Sequence, residues 1–340
     1  MKAAVLVKQG SPHESFEIRE VEKPTISNDE LLIKVDAFGL NFADVMARQG
    51  LYQEAPPLPS IIGYDVVGKV VEVANDKYKD LLGKRVVSMT RFGGYAEYAK
   101  TKAEGVAVIP ESFTDGEALA LATQYSTAYF MAYECVSVFE GDAILMHAAA
   151  GGVGTALTQL LKLKGCTLFG LTSSDKKLNY LKNNGIDYPI NHAKTDYAQE
   201  IEKIIGKNKI DVAFNSVGGS TFSKDRSLLM KGGRQVLYGA AERAGKGQGK
   251  LKTLALAWKF GLFSPIQMLL NSQAIIGVNM LHISDAKPQA IKRSLDAVVK
   301  MTEEGLLKPH VGGVFNSSQI GDAHHLLESR ASTGKIIVEW

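Results

Sequence analysis

The sequence predicts an α/β protein made of two differently built parts. Up to about residue 122, short apolar runs alternate with turn residues, a rhythm typical of a mostly antiparallel, barrel-like sheet. After about residue 123, strand and helix patterns follow one another with short loops, which indicates a parallel sheet covered by helices on both faces. The first strand and helix of this second part enclose a glycine-rich loop, residues 147–154.

The N-terminal part contains five apolar runs that we expect to be strands. They are Lys2–Lys8, Leu31–Ala37, Val66–Ala74, Val86–Thr90 and Tyr95–Ala99. Turn-forming residues lie between successive runs, for example Gly10-Ser11-Pro12 after the first and Pro56-Pro57 before the third. A last strand is expected at the end of the chain, over Ile336–Val338.

The second part is expected to contain repeated strand–helix units. Its strands are predicted at Ala143–His147, Thr167–Leu171, Tyr188–Ile190, Asp211–Asn215 and Arg234–Gly239. The helices between them are predicted at about 153–164, 175–184, 197–205 and 221–229. Toward the C-terminus, Ser284-Asp285 are interpreted as the cap of a helix that ends at Gly305, and another helix is expected at about 320–328.

Composition excludes several classes of function. The 340 residues suggest about two domains, and 39 Lys and Arg against 36 Asp and Glu leave a net charge too small to predict a nucleic-acid partner. Two cysteines, Cys135 and Cys166, cannot form a disulfide framework or a four-cysteine zinc lobe, so we expect a reducing, cytoplasmic compartment. The longest apolar stretch, Leu251–Leu270, is interrupted by lysines and a proline and does not resemble a membrane span.

The glycine-rich loop has the context of a dinucleotide-binding fingerprint, because it follows a predicted strand and precedes a predicted helix. Ala149 stands where the pattern has its first glycine. Gly151, Gly152 and Val153 would bring backbone close to a pyrophosphate, Gly154 would let the helix pack on the strand, and the helix N-terminus would offer N–H groups. A turn without a ligand is the less favoured alternative.

The end of the second predicted strand favours NADPH over NADH. NAD-binding proteins usually carry an acid at this strand tip, whereas the sequence here reads Leu171-Thr172-Ser173-Ser174. Ser173 and Ser174 can donate hydrogen bonds to a 2′-phosphate, and Lys177 can supply positive charge. As alternatives, Lys177 lies on a solvated helix face and the adjacent Asp175 is a plain helix cap.

Several motifs carry a resemblance to a known family over essentially the whole chain. They are Gly39–Asp44, Gly50–Tyr52, Gly63–Gly68, His147–Gly154 and Ser329–Lys335. On these residues the chain resembles the zinc-independent quinone oxidoreductases of the medium-chain dehydrogenase/reductase superfamily. Residues 254–258 and 267–270 are most similar to the branch of vesicle amine transport protein homologues.

The resemblance implies a two-domain subunit. A GroES-like β-barrel catalytic domain is expected over 1–124 and 284–340, and a Rossmann domain, a doubly wound parallel sheet that binds NADPH, over 125–283. The active site is expected in the cleft between them, and the subunit is expected to form a homodimer. The implied chemistry is reduction of quinones or α,β-unsaturated carbonyls.

The positions that resemble zinc ligands of alcohol dehydrogenases do not carry a ligand set. Asn41 replaces a cysteine, Tyr64 replaces a histidine, and Asp65 alone falls short of three protein ligands. His324-His325 have no partners at ligand spacing and are expected on a helix surface. We therefore predict no metal, and a quinone or enone acceptor rather than an alcohol, because hydrogen bonds alone can meet the charge that develops on the acceptor oxygen.

By resemblance, Asn41, Asp44 and Tyr52 lie beside the nicotinamide and the substrate. Asn41 would donate to a carbonyl or to the ribose, Asp44 would position other groups, and Tyr52 would donate a hydrogen bond or a proton. Each has an alternative: Asn41 fixes its loop, Asp44 caps a helix and Tyr52 packs.

Further cofactor-binding candidates come from the resemblance and from the expected sheet edge. Thr127 resembles a cofactor-contacting residue, and His192 stands where the family often has a tyrosine. Other candidates follow predicted strands and therefore belong to the carboxyl edge where doubly wound sheets bind ligands; they are Val217, Gly239, Ala240, Ala241, Val278, Asn279 and Met280.

The sequence leaves one rival function open. A non-catalytic NADPH-binding protein with a membrane or partner role is supported only by the apolar and basic segment Leu251–Leu270. A core or dimer contact is the favoured interpretation of that segment, a substrate lid is second, and a membrane-facing segment is third.

Overall fold

The fold is taken from a computed structural model that describes residues 1–243, 258, 260 and 264–340. The chain divides into two compact units. The first unit comprises residues 1–127 and 280–340, and the second comprises residues 128–279. The boundaries expected from the sequence, after residue 124 and before residue 284, lie close to these limits.

The first unit is built on a mostly antiparallel sheet, as the sequence predicts. Its strands are β1 (Lys2–Leu6), β2 (Phe16–Glu20), β3 (Glu30–Leu40), β4 (Asp65–Val73), β5 (Arg85–Met89), β6 (Tyr98–Lys102), β7 (Val106–Val108), β14 (Val311–Asn316) and β15 (Lys335–Glu339). Strands β1 and β2 pair with each other, while the larger sheet has the order β14-β15-β3-β4-β5-β7, with β6 added to β3. The pairing of β14 with β15 is parallel, and the other pairings in this sheet are antiparallel.

Strand β3 organises the core of the first unit. Its side chains alternate, with Ile33 and Val35 buried while Lys34 and Asp36 are exposed, as expected for a strand with one face on the core. Phe38 continues the buried face, and full burial of a side chain of this size stabilises the fold by about 2–3 kcal/mol.

The helices of the first unit include one that corrects a prediction. They are α1 (Phe42–Arg48), α2 (Asp115–Ala120), α9 (Met280–Ala286), α10 (Pro288–Glu303) and α11 (Ile320–Glu328), while the short α3 (Ser126–Tyr129) crosses the boundary into the second unit. The prediction that Ser284-Asp285 cap a helix is wrong, because both lie inside the short helix α9. Helix α10 begins at Pro288, whose missing N–H is no loss in a first turn. The predictions of Gly305 as helix end and of α11 are confirmed.

The second unit has the predicted alternation of strand and helix. In order it contains β8 (Ala143–Met146), α4 (Gly152–Lys162), β9 (Thr167–Thr172), α5 (Leu178–Asn184), β10 (Tyr188–Asn191), α6 (Tyr197–Ile205), β11 (Ile210–Asn215), α7 (Ser220–Leu228), β12 (Leu229–Leu237), α8 (Pro265–Asn271) and β13 (Ala274–Gly277). These strands pair in parallel in the order β10-β9-β8-β11-β12-β13.

The strand order creates a switch point in the second unit. From β8 the chain builds outward through β9 to β10, then crosses back to place β11 on the other side of β8. Loops after β8 and β11 therefore diverge and leave a crevice at the carboxyl ends of these strands, where such sheets bind ligands. The central strands are apolar on both faces because helices cover both; Ile144, Leu145 and Phe214 have no exposed surface.

The segment Leu251–Leu270 lies mostly outside the described residues, since 251–257, 259 and 261–263 are not described. Its three interpretations therefore stay predictions. The part that is described, from Ser264 onward, includes α8, on which Ile266, Leu269 and Leu270 are exposed. No helix in the described ranges is long and apolar enough to cross a membrane.

Candidate active site

The glycine-rich loop lies directly before α4 and leads into its first turn. Gly151 precedes the helix in an extended conformation, and Gly152 and Val153 open its first turn, where backbone N–H groups have no carbonyl partner within the helix. Gly154 must be a glycine, because an added Cβ would lie 2.5 Å from the Ala148 carbonyl oxygen. This close packing of helix on loop is the role that the fingerprint assigns to its last glycine.

The strand tip after β9 carries an acid that is already paired. Asp175 accepts hydrogen bonds from Asn191 Nδ2, at 2.6 Å, and from Lys194 Nζ, and these hydrogen bonds lower the pKa of its carboxyl. Lys194 balances the charge of Asp175, so the carboxylate presents little net negative charge to a neighbouring anion. Sequence reasoning did not identify Lys194, which lies 19 residues from Asp175.

The predicted 2′-phosphate residues lie around the same strand tip. Ser173 is exposed and Ser174 is partly exposed, while burial lowers the pKa of the half-buried Lys177. The exposed His192 donates its backbone N–H to the Thr172 carbonyl at 3.0 Å, which ties the end of β10 to β9.

The remaining candidates of the second unit follow its other strands. The N–H groups of Val217 and its neighbour donate to Asn215, and an added Cβ on Gly239 would lie 2.6 Å from the Ser216 carbonyl oxygen. The backbone N–H of Val278 donates to Leu237 at 2.8 Å. With the adjoining Ala240, Ala241 and Asn279, these residues lie at the carboxyl edge of the sheet.

Two further cofactor candidates belong to the first unit. Thr127 is its last residue before the chain enters the second unit, and its Oγ1 donates to the Thr123 carbonyl at 2.5 Å. Met280 is its first residue after the chain returns and begins α9.

A buried polar cluster occupies the first unit where β3, β4 and β15 meet. Lys335 Nζ donates to Asp65 Oδ2 at 2.5 Å and to Asn41 Oδ1 at 3.2 Å. Asn41 Nδ2 donates to Asp65 Oδ1 at 3.0 Å, and none of the three residues is more than 7% exposed. Gly39 makes room for this lysine, because an added Cβ would overlap Lys335 Cε.

This cluster joins two positions that resemble zinc ligands. Of its residues only Asp65 has a side chain that commonly binds zinc, and the ammonium of Lys335 would repel a divalent cation placed beside it. Within the described part of the chain, no group of three His, Cys, Asp or Glu is arranged to hold a metal ion. The sequence marked Ser329–Lys335 as a family motif but did not pair Lys335 with Asp65.

Asp44 closes the first turn of α1, which is the alternative role that the sequence left open. Its Oδ2 accepts the backbone N–H of Asn41 at 2.8 Å, and its side chain has no exposed surface. Burial raises the pKa of this carboxyl to about 8, Asp65 adds to the rise, and the Asn41 N–H and Lys335 oppose it. In this arrangement Asp44 acts by holding Asn41, and its contact with a substrate stays a prediction.

His324 corrects a second prediction, because it is fully buried rather than on a helix surface. Its Nε2 lies 3.2 Å from the Tyr95 hydroxyl, and its ring lies 4.7 Å from that of Phe16. Burial lowers the pKa of His324 well below its usual value, so the ring is neutral at physiological pH. The reason is helical phase: α11 buries Ile320, Ala323 and His324 on one face, whereas His325 is exposed as predicted.

Tyr52 lies in an aromatic group with part of its surface exposed. Its ring is 6.2 Å from that of Tyr64, edge to face, and Tyr64 lies 5.1 Å from Phe92. Burial raises the pKa of Tyr52, so its hydroxyl keeps its proton near neutral pH and can act as a donor. The neighbouring Arg91 is oriented by a two-pronged ion pair with Asp285, at 3.0 and 3.1 Å.

Comparison with known proteins agrees with this architecture. The model of the alcohol dehydrogenase GroES-like domain matches residues 27–111, and that of the zinc-binding dehydrogenases matches residues 152–296. Human synaptic vesicle membrane protein VAT-1 homolog is 33% identical over 323 residues, covering 94% of this chain and 81% of the relative. Human quinone oxidoreductase is 29% identical over 341 residues, covering 99% and 97%.

A solved structure extends the likeness to the whole fold. The mycobacterial protein Rv1454c, in a complex with NADPH, matches with a TM-score of 0.85 at 26% identity, covering all of both chains. The resemblance suggested by the sequence motifs is thereby confirmed. The chain belongs to the medium-chain dehydrogenase/reductase superfamily, in the branch that contains the quinone oxidoreductases and the VAT-1 homologues.

Proposed function

We propose that this protein is an NADPH-dependent oxidoreductase that transfers hydride to quinones or α,β-unsaturated carbonyls without zinc. The observation that carries the proposal is the Lys335–Asp65–Asn41 cluster, since a lysine bridges two positions that resemble zinc ligands. Without a Lewis acid, an alcohol is a poor hydride donor, whereas a quinone or enone accepts hydride directly. Membership of the quinone oxidoreductase branch supports the same acceptor class.

The residues of the second unit fit NADPH. Gly152 and Val153 would hold the pyrophosphate through backbone N–H groups, whereas the Gly151 N–H already donates to the Ala148 carbonyl at 2.9 Å and this residue would only let the backbone approach closely. The tight packing at Gly154 explains why the loop cannot carry a side chain there. Ser173, Ser174 and Lys177 would hold the 2′-phosphate, because the nearby Asp175 is paired with Lys194. When bound, NADPH supplies the hydride from its nicotinamide ring.

The chain's own contribution is orientation and hydrogen bonding. Asn41 is held by Asp65 and Lys335, which leaves one of its two Nδ2 protons to donate to a carbonyl oxygen or ribose. Tyr52, protonated near neutral pH, would donate to the acceptor oxygen as negative charge develops there. The hydride supplies two electrons and the donated proton completes the reduced product, so no further oxidant or reductant is needed.

The test is a panel of quinones, enals and enones incubated with NADPH, followed by loss of NADPH absorbance. Turnover with at least one acceptor class, together with absence of stoichiometric zinc in the active protein, is the expected result. Tight NADPH binding without turnover across the panel would favour the rival, a non-catalytic NADPH-binding protein. The predicted homodimer and cytoplasmic location are part of this proposal and are tested by sedimentation and by cell fractionation.

A further inference from the structure

A buried carboxylate lies beneath the carboxyl edge of the second unit. Asp225, in α7, has no exposed surface, and its oxygens accept hydrogen bonds from four side chains on four separate segments of the chain. The Nε2 of His147 lies 3.0 Å from both oxygens, and the Tyr197 hydroxyl donates at 2.7 Å. Asn215 Nδ2 donates at 2.5 Å and Gln235 Nε2 at 3.4 Å.

One of these donors controls the loop after β11. Asn215 has no exposed surface, and its Oδ1 accepts the backbone N–H groups of Val217 and Gly218, both at 2.8 Å. Its Nδ2 bridges Asp225 and the Thr221 hydroxyl, which itself donates to the Gly218 carbonyl at 2.9 Å. The Asp225 carboxylate therefore determines which way the Asn215 amide faces, and that orientation presents Oδ1 to the loop.

A second donor controls the start of the glycine-rich loop. His147 follows the last residue of β8 and precedes Ala148, which has the left-handed φ of 49°. Its backbone N–H donates to the Phe214 carbonyl at 3.0 Å, and its ring is held by Asp225. Asp225 thus ties together the loops after β8 and β11, which flank the switch point of the sheet.

We infer that Asp225 is a positioning residue for NADPH, acting through His147 and Asn215 on the two loops that flank the cofactor crevice. The inference rests on the proposed NADPH function, but its structural part stands on these hydrogen bonds. A carboxylate suits this role because it only accepts hydrogen bonds, whereas an amide would turn an NH₂ group toward one of the donors. Charge-assisted hydrogen bonds of this kind are also shorter and stronger than neutral ones.

The test first replaces the Asp225 carboxylate with an amide and then exchanges the side chains of positions 215 and 225. In Asp225→Asn, the new NH₂ group faces a donor, so we expect amide exchange at Val217 and Gly218 in the cofactor-free protein to become on the order of tenfold faster. NADPH dissociation constants should rise by roughly tenfold, by analogy with the loss of metal affinity when a residue that orients a metal ligand is removed. In the double variant N215D/D225N, the carboxylate at position 215 would still accept both loop N–H groups and the amide at position 225 would donate to it. Slow amide exchange at the two loop positions and NADPH affinity should therefore both be partly recovered.

Asp187→Asn is the control at an exposed carboxylate of the same unit. Asp187 accepts the Leu168 backbone N–H at 2.8 Å and pairs with Lys162, at the amino end of β9, far along the strand from the cofactor edge. We expect this variant to lower Tm while leaving NADPH affinity and exchange at Val217 and Gly218 unchanged.

Each outcome decides one claim. If D225N lowers Tm but leaves amide exchange and NADPH affinity as D187N does, the positioning role is overturned. If the wild-type protein fails to bind NADPH, the proposed function and the cofactor part of the inference fall together. The exchange rates then still decide, by themselves, whether Asp225 holds the two loops.

Discussion

Each unit buries a carboxylate beside its candidate site, and the two are compensated in different ways. In the first unit, Asp65 faces the ammonium of Lys335 at 2.5 Å. In the second unit, Asp225 is surrounded by donors from a histidine, a tyrosine, an asparagine and a glutamine. One cation, with a single hydrogen bond from Asn41, compensates the first carboxylate, and several polar groups share the compensation of the second.

The difference determines how each site would respond to substitution. Removing one partner of a buried ion pair leaves an uncompensated charge, which costs far more than removing one of several hydrogen bonds. The stability of the first unit therefore depends strongly on one residue, Lys335. In the second unit several side chains stabilise Asp225, and two of them also hold the loops after β8 and β11. Asp44 is a third case, because no cation of the described residues lies at hydrogen-bond distance from it and it keeps its proton instead.

The largest expected effect is the loss of stability when Lys335 is replaced. Lys335→Met should lower the free energy of unfolding by about 3–5 kcal/mol, because it leaves Asp65 charged and buried. Urea unfolding measures this, and K335M/D65N should recover part of the loss. Lys77→Met, which breaks an exposed pair with Asp29, is the control and should change stability little. Equal effects of K335M and K77M would contradict the assigned ion pair.

The next effect is a pH dependence caused by Asp44. The pKa of its carboxyl is about 8 in the folded protein, well above about 3.9 in an unfolded chain, so the native state holds one more proton between these values. Its contribution to stability is full below the unfolded pKa and is lost as pH rises through the folded pKa, by about 1.4 kcal/mol per pH unit between the two values.

Asp44→Asn, which keeps an oxygen for the Asn41 N–H, isolates this contribution. The unfolding free energy of the wild type minus that of the variant should fall steadily as pH rises from roughly 5 to 7. His324 has the opposite pH dependence, because burial lowers its pKa and its contribution to stability is lost as pH falls. Since both proteins contain His324, its contribution cancels in the difference between them. A constant difference over this range would rule out a proton held by Asp44.

A smaller effect is expected at the glycine-rich loop. Gly154→Ala should cost about 1–3 kcal/mol of stability, since the new Cβ would contact the Ala148 carbonyl at 2.5 Å and force the helix off the loop. NADPH affinity should fall with it. Gly277→Ala is the control, because within the described part of the chain no atom lies within 4 Å of its new Cβ. Unchanged NADPH binding by G154A would separate the loop from the cofactor.

The smallest effect concerns the choice of cofactor. Lys177→Ala should weaken NADPH binding by about tenfold, or ~1.4 kcal/mol, and leave NADH binding nearly unchanged, because only NADPH carries the 2′-phosphate. Titration with both cofactors measures this, with K176A as the neighbouring control. Equal losses for NADPH and NADH would show that Lys177 acts on something other than the phosphate.

Local pattern was enough to predict the parallel sheet, its carboxyl edge and the position of the glycine-rich loop. Helical and strand periodicity depends on neighbours a few residues apart, and the order of strands along the chain already selects the edge at which 147–154, Ser173 and Val217 lie. The error at Ser284-Asp285 has the same origin, because a Ser-Asp pair and a first-turn proline are competing helix-start signals and Pro288 prevailed.

The buried polar clusters were decided by the tertiary structure. Lys335 lies 270 residues from Asp65 and 294 from Asn41, so no local pattern indicates that strand pairing brings them together. His324 is polar in sequence but buried by the phase of α11, and Asp225 collects donors from elements as far as 78 residues away. The sequence by itself determined the fold class and the sheet edge at which the candidate cofactor residues lie, because these follow from periodicity and strand order. Which charges are buried, and what compensates them, follows from long-range packing and is settled only in the folded chain.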